Sequence, residues 1–363
     1  MVRSSAAGAI LTVDLEALAA NYERLRAELR GVECAGVVKA DAYGLGLRPV
    51  ARALAEAGCR KFFVAHQMEG VALRSCLPEA EVFVLHGPMP GEEAAFAEAR
   101  LVPVLNTRRQ VAGWLRQARR APAALHLDSG LNRLGLAPEG LDEAGRLKLC
   151  LVMSHLAAAE EPDDPANERQ RRRFQRLRAR LPAAPASLAN SSGIFLGRRY
   201  HLDLARGGVA LYGVNPTPGR AKPVRDVIHL QGKILAVRQI DRGQGVGYGA
   251  SFRAAERRLI ATVPVGYADG YFRALGNRAF AAIDGHRVPV VGRVSMDLIT
   301  LDVTEVPGGV AEGAPVDLIG GSIGLDEVAG WAGTIEYEIL TALGPRYHRR
   351  YRRRGPGRTR TAP

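Results

Sequence analysis

The sequence predicts an α/β chain in two parts, an N-terminal (β/α)8 barrel and a C-terminal, mostly antiparallel β domain. Over roughly the first 200 residues, about eight short apolar runs alternate with amphipathic stretches, the strand and helix count of such a barrel. From Asp226 onward helical spacing nearly vanishes, and short strands alternate with glycine-rich turns, the texture of an antiparallel β domain. A doubly wound open sheet usually carries GxGxxG after its first strand, and that motif is absent here.

The elements follow in order. Asp14 is an N-cap candidate for a helix on which Leu15, Leu18 and Leu25 share a face. The barrel strands are expected at 35–39, 61–65, 81–85, 102–105, 124–127, 149–154, 186–189 and 202–204, with helices such as 48–57, 92–99, 108–119 and 169–181 between them. The β domain is expected to use 228–240, 258–265, 279–283, 287–291 and 299–303. Turn-forming residues at 216–219 mark the boundary. The expected division is 1–220 for the barrel, with 1–13 a candidate to join the β domain, then 221–348, then a basic mobile tail at 349–363.

Composition narrows the class. Of 363 residues, 47% are apolar and 24% charged, ordinary for a globular chain long enough for two domains. Four scattered cysteines with no CxxC pair read as reduced thiols in a cytoplasmic protein, with no zinc or other metal framework. No apolar run approaches membrane-spanning length, and 6–13 is too short and alanine-rich for a signal core. The net charge of +13 invites a nucleic-acid reading, but seven arginines sit in 349–363, leaving +6 elsewhere. Another seven lie in 169–180, where Phe174 and Leu177 mark an inward helix face. No nucleic-acid recognition motif accompanies either cluster.

The strand ends carry the chemistry. In "VVKADAYGLG" a buried strand delivers Lys39 and then breaks into glycine. Its end and its seven counterparts bring Lys39, His66, His86, Asn106, Asp128 with Arg133, His155, Asn190 to Gly193, and Arg206 to Gly208 to one mouth. The last two groups follow strands seven and eight, where barrels frequently bind phosphate. A lysine at one strand end and a phosphate cradle on the far side suit pyridoxal phosphate held as a Schiff base.

Nine segments in order, "VVKADAYGLG", "LDSGLNRLG", "MSHLAAAE", "LANSSG", "RGGVALYG", "VGYG", "VPVGYADGY", "VGRVSMD" and "TIEYEIL", make the chain similar to the alanine racemase family over nearly its whole length. The resemblance implies an enzyme that interconverts L- and D-alanine on pyridoxal phosphate by a two-base mechanism, as a cytoplasmic homodimer that supplies D-alanine for cell walls. It implies that Lys39 carries the cofactor and serves the D-enantiomer, while Tyr248 serves the L-enantiomer. Tyr43, Ser191, Gly208, Val209 and Tyr337 would hold the phosphate, with Asn190 beside them. Arg206 would face the pyridine nitrogen, His155 would lie against the ring, and Arg133 would reach the cofactor phenolate and the substrate carboxylate. Tyr248, Met296 and Asp297 would come from the opposite subunit, and Tyr267 would line the access corridor. No specific nucleic acid, membrane or metal partner is implied.

Some residues keep plainer readings. His66 and His86 are left as strand-end residues, Asp269 as a turn former, and Arg293 as a supporting residue without a place. Two positions depart from the family pattern: His126 stands where many relatives have a carbamylated lysine, and Gly207 where many have proline. The rival functions are a racemase of broader amino-acid range, a barrel decarboxylase, and a non-catalytic pyridoxal-phosphate-binding protein. Decarboxylases of this fold resemble one another in placing an acid where Arg206 stands, which disfavours that reading.

Overall fold

The computed structural model describes residues 7–118 and 120–353, and the chain divides into two compact units, Ala17–Arg225 and the combination of Met1–Glu16 with Asp226–Pro363. The division falls at Arg225, five residues past the expected 220. The turn-rich stretch at 216–219 therefore closes the barrel unit instead of linking it to the next.

Strand β1 (Ala9–Asp14) belongs to the second unit. The barrel strands are β2 (Glu33–Val37), β3 (Lys61–Val64), β4 (Glu81–Val84), β5 (Val102–Leu105), β6 (Ala123–His126), β7 (Leu149–Met153), β8 (Ala186–Ser187) and β9 (Leu204–Gly207). They run in parallel in the order β8-β7-β6-β5-β4-β3-β2-β9. Asp203 N–H donates to Ala186 O at 3.1 Å and Arg206 N–H to Ala189 O at 2.9 Å, which ties the two ends of the sheet together.

Each barrel strand is covered on both faces, so Phe-Phe-Val in β3 and Val-Phe-Val in β4 are buried as continuous apolar runs without alternation. The outer helices bury one face only. Pro165–Arg178 starts on Asp164, whose side chain accepts the Ala166 N–H at 2.7 Å. It turns Phe174 and Leu177 inward, and its arginines stay outside, with Arg171 and Arg172 both on Glu168. The cluster that suggested nucleic acid is thus the wet face of a barrel helix.

The second unit holds β10 (Ile228–Lys233), β11 (Ala236–Ile240), β12 (Gly245–Val246), β13 (Phe252–Arg253), β14 (Arg258–Val263), β15 (Phe280–Ile283), β16 (His286–Pro289), β17 (Ile299–Asp302), β18 (Pro315–Ile319) and β19 (His348–Arg352). A six-stranded sheet has the order β16-β15-β18-β10-β1-β19, and β11-β14-β17 and β12-β13 form smaller sheets. All pairings are antiparallel except β1 with β19. Two helices, Leu325–Ala332 and Glu336–Ala342, also lie here, although helical spacing was expected to fade.

The basic tail needs a correction. Arg349, Arg350 and Arg352 sit in β19, where Arg350 donates to Thr12 Oγ1 at 3.0 Å and Arg352 pairs with Asp14. An unsatisfied edge of β1 takes the segment up as a strand, and alternate side chains find acceptors along it. Residues 354–363 of the expected tail lie outside the described residues, as do 1–6. Among the described residues no helix is long and apolar enough to cross a membrane.

Candidate active site

Lys39 is not at the end of its strand. β2 stops at Val37, and Ala40, Asp41 and Ala42 follow with φ of 52–54° and ψ of 46–55°, with Tyr43 also at φ 54°. This is a full left-handed turn without glycine, a conformation costing roughly 1–2 kcal/mol per residue. The sequence suggested that Gly44 and Gly46 would do the turning, but the strain falls before them. Burial first and the Arg133 charge second hold the Lys39 amine below its ordinary pKa, against an opposing pull from Glu69.

The expected phosphate cradle is the lysine's neighbour, not its opposite, because β9 pairs directly with β2. Arg206 also lies within β9, not after it. Ser191 Oγ accepts the N–H groups of Gly208 at 2.9 Å and Ala210 at 3.2 Å. A Cβ on Gly208 would stand 2.9 Å from the Tyr43 hydroxyl. Tyr43 is buried, stacked on Tyr212 with ring centroids 4.5 Å apart, and burial raises its pKa to about 12. Val209 opens the buried turn after Gly208. The Asn190 side chain is committed to the Gly193 N–H at 2.8 Å, which makes it a cap that shapes this loop.

Arg206 is 3% exposed, and burial lowers its pKa to about 10, still a cation at neutral pH. Its guanidinium donates to Ser187 Oγ at 2.5 Å, to Ser154 O at 2.6 Å and to His155 Nδ1 at 3.3 Å. A guanidinium can only donate, so Nδ1 of His155 is an acceptor and the ring's proton is on Nε2.

His126 has the opposite tautomer. Asn106 spends both amide hydrogens on Leu85 O and Val104 O, so its Oδ1 must accept from His126 Nδ1, at 2.8 Å. Burial, followed by the Arg206 charge, lowers His126 to about 4 and His155 to about 3.

The "DSGLNRLG" loop presents Arg133. Asp128 Oδ1 accepts the N–H groups of Gly130 at 2.9 Å and Asn132 at 3.1 Å. Gly135 stands at φ +121° with space for a Cβ only 2.5 Å from Asp128 N, so glycine is required there. Arg133 itself is exposed.

The remaining expected site residues belong to the second unit. Tyr248 is 73% exposed on a turn between Gly247 at φ 68° and Gly249 at φ 70°. Arg293, which sequence could not place, lies against that turn, with its guanidinium 3.2 Å from where a Gly249 Cβ would be. Tyr267 N–H donates to Ser295 O and Ala268 N–H to Met296 O, both at 3.0 Å, so the Tyr267 turn and the "SMD" segment are one piece. Arg346 bridges Asp269 at 3.0 Å and Asp297 at 2.8 Å. Asp269 is therefore more than a turn former. Tyr337 is partly buried on the helix Glu336–Ala342.

The sequence model of the alanine racemase N-terminal domain matches residues 13–216, and that of the alanine racemase C-terminal domain matches residues 227–351. The chain belongs to the alanine racemase family. Membership makes it a pyridoxal-phosphate-dependent isomerase, a racemase of alanine.

An alanine racemase from Rhodospirillum rubrum is 53% identical over 359 residues, covering 95% of this chain and 96% of its own. The catabolic alanine racemase of Mesorhizobium japonicum is 51% identical, covering 96% and 95%. The crystal structure of alanine racemase from Bartonella henselae, with covalently bound pyridoxal phosphate, superimposes with a TM-score of 0.92 at 38% identity, covering 95% of this chain and 99% of that one.

The barrel residues fit such a cofactor. A depressed lysine amine suits an aldehyde, the Gly208 hollow with two hydroxyls and backbone N–H groups suits a phosphate, and a fixed buried cation suits an unprotonated ring nitrogen. Glu69 was not recognised from sequence, and Asn106 was placed at the mouth without a role. The His66-x-x-Glu69 spacing opens the helix Gln67–Cys76, but histidine at the first position hides the capping pattern.

Proposed function

We propose that racemisation runs through two bases on opposite faces of the substrate, Lys39 for D-alanine and Tyr248 for L-alanine. Bound pyridoxal phosphate supplies the electron sink that acidifies the Cα–H bond. Lys39 Nζ takes or returns a proton on one face, and its depressed pKa keeps more of the amine neutral for that work. The observation that carries the reading is that Lys39 follows β2, whose neighbour β9 holds the buried Arg206 and leads into the Ser191–Gly208–Tyr43 hollow.

Tyr43, Ser191, Gly208, Val209 and Tyr337 hold the phosphate, and Asn190 keeps the Ser191 loop in shape. Arg206, anchored by four acceptors, would oppose protonation of the ring nitrogen because two adjacent cations repel. That would favour quick return of a proton to the substrate over side reactions. His155 lies against the ring and offers Nε2–H, the donor a tyrosine phenolate needs. Arg133 binds the substrate carboxylate.

Tyr248, Met296 and Asp297 complete the site of a second copy in a homodimer, with Tyr267 lining its corridor. Their exposure supports this, with Tyr248 at 73%, Met296 at 53% and Tyr267 at 44%. The enzyme works in the cytoplasm and supplies D-alanine for cell-wall synthesis.

The test incubates the cofactor-loaded protein with L-alanine and a panel of other amino acids, alongside Lys39→Ala. D-Alanine formed far faster than any other D-amino acid, and only by the wild type, supports the reading. Equal turnover across the panel would replace it with the broader-range racemase. A fully loaded protein that turns over nothing would leave the carrier.

A further inference from the structure

The lysine turn is costly to hold. Ala40, Ala42 and Tyr43 carry a Cβ that disfavours the left-handed region, and only Asp41 tolerates it somewhat better. The later part of the turn is tied from within: Gly44 N–H donates to Ala40 O at 2.8 Å, Gly46 N–H to Asp41 O at 2.9 Å, and Leu47 N–H to Asp41 Oδ1 at 2.7 Å. Its first amide has a different partner. Ala40 N–H donates to Glu69 Oε1 at 2.5 Å.

The other oxygen of that carboxylate, Oε2, accepts from Ala65 N–H at 2.8 Å and His66 N–H at 3.0 Å. Closing the first turn of a helix in this way is usual for a glutamate at its third position. Reaching across with the second oxygen to the residue after Lys39 is not part of that job. An amide could not do both, since it accepts on one side only.

We propose that Glu69 is a positioning residue for Lys39, clamping the left-handed turn through Ala40 so that the amine is held where the cofactor attaches. This rests on Lys39 being the attachment point. Glu69 and Arg133 are the charges that act on the amine, with opposite effects. His86, packed edge-on against His66 at 4.5 Å, feels both Lys39 and Glu69.

The full-length chain is prepared without cofactor as wild type, Glu69→Gln, the double variant Ala40→Gly with Glu69→Gln, and Glu92→Gln as a control. Glu92 accepts the Met89 N–H at 3.1 Å at another helix start. Pyridoxal phosphate is then added, loading is followed by the absorbance of the lysine-bound cofactor, and the adduct is mapped after borohydride reduction. Separately, reductive methylation of Lys39 is measured against pH without cofactor, together with the melting temperature.

The expected result is loading at Lys39 in wild type and Glu92→Gln, and loading about tenfold slower or more in Glu69→Gln, as loss of a charged hydrogen bond implies. The pH midpoint of Lys39 methylation should move down in Glu69→Gln. Ala40→Gly should restore loading but not the midpoint, because glycine takes the left-handed turn unaided. Wild-type loading by Glu69→Gln, or no rescue by Ala40→Gly, would reduce Glu69 to a helix cap and overturn the proposal. If Glu69→Gln alone does not fold, loading of the double variant decides in the same way. A wild-type adduct mapped away from Lys39 would overturn the attachment reading, and this proposal with it, before any variant is compared.

Discussion

Arg206 donates a guanidinium hydrogen to Nδ1 of His155 across 3.3 Å, and the direction of that bond sets the protonation of the histidine. Burial and the same guanidinium lower His155 to about 3, and burial with the Arg206 charge lowers His126 to about 4. Unfolded histidines titrate near 6.5. Between these values the unfolded chain binds protons that the folded chain refuses. Stability is therefore full above about pH 6.5 and is lost as pH falls below it, by at most about 1.4 kcal/mol per pH unit for each imidazole. Urea midpoints of the cofactor-free chain at about pH 7, 6 and 5 should fall steadily, as the linkage sign requires. A flat series would mean that these rings are charged in the fold.

Gly208→Ala places a methyl 2.9 Å from the Tyr43 hydroxyl. Tyr43 is pinned by its stack on Tyr212, so it has little room to retreat. The variant should fold with a loss of about 1–3 kcal/mol, the usual size of an overpacking defect, and bind pyridoxal phosphate at least about tenfold more weakly. Fluorescence titration with the cofactor, set beside a thermal melt, separates the two effects.

Arg346 holds Asp297 and Asp269 together, and the Asp269 turn is bonded to the Met296 segment. Arg346→Ala should raise KM for alanine several-fold, because Asp297 loses its orientation, while the melting temperature stays close to wild type. Steady-state kinetics in both directions check this. Unchanged KM would remove Asp297 from the substrate site.

Much of this was legible in the sequence because barrel strands buried on both faces are short, continuous apolar runs. The segment 102–105 was placed to the residue. Boundaries slipped where the deciding force was not local. β9 begins at Leu204 and includes Arg206 because pairing with β2 extends it past the apolar run. β19 was hidden because arginines read as solvated tail until β1 offers a partner edge. The lysine turn was hidden more deeply. No rule of sequence puts alanine, aspartate, alanine and tyrosine in a left-handed turn, and the carboxylate that clamps it lies 29 positions away from Ala40. Lys39, Ser191, Arg206, Gly208 and Tyr43 could be proposed from sequence because they lie near expected strand ends and in motifs similar to those of the family.

The central claim is the division of labour between Lys39 and Tyr248. It is tested most directly by following exchange of the Cα proton of L-alanine and, separately, of D-alanine in heavy water, with wild type, Tyr248→Phe and Lys39→Ala. The account predicts deuterated D-alanine from L-alanine with wild type, no exchange with Lys39→Ala, and Tyr248→Phe exchanging D-alanine but not L-alanine. Exchange of L-alanine by Tyr248→Phe at the wild-type rate would contradict it.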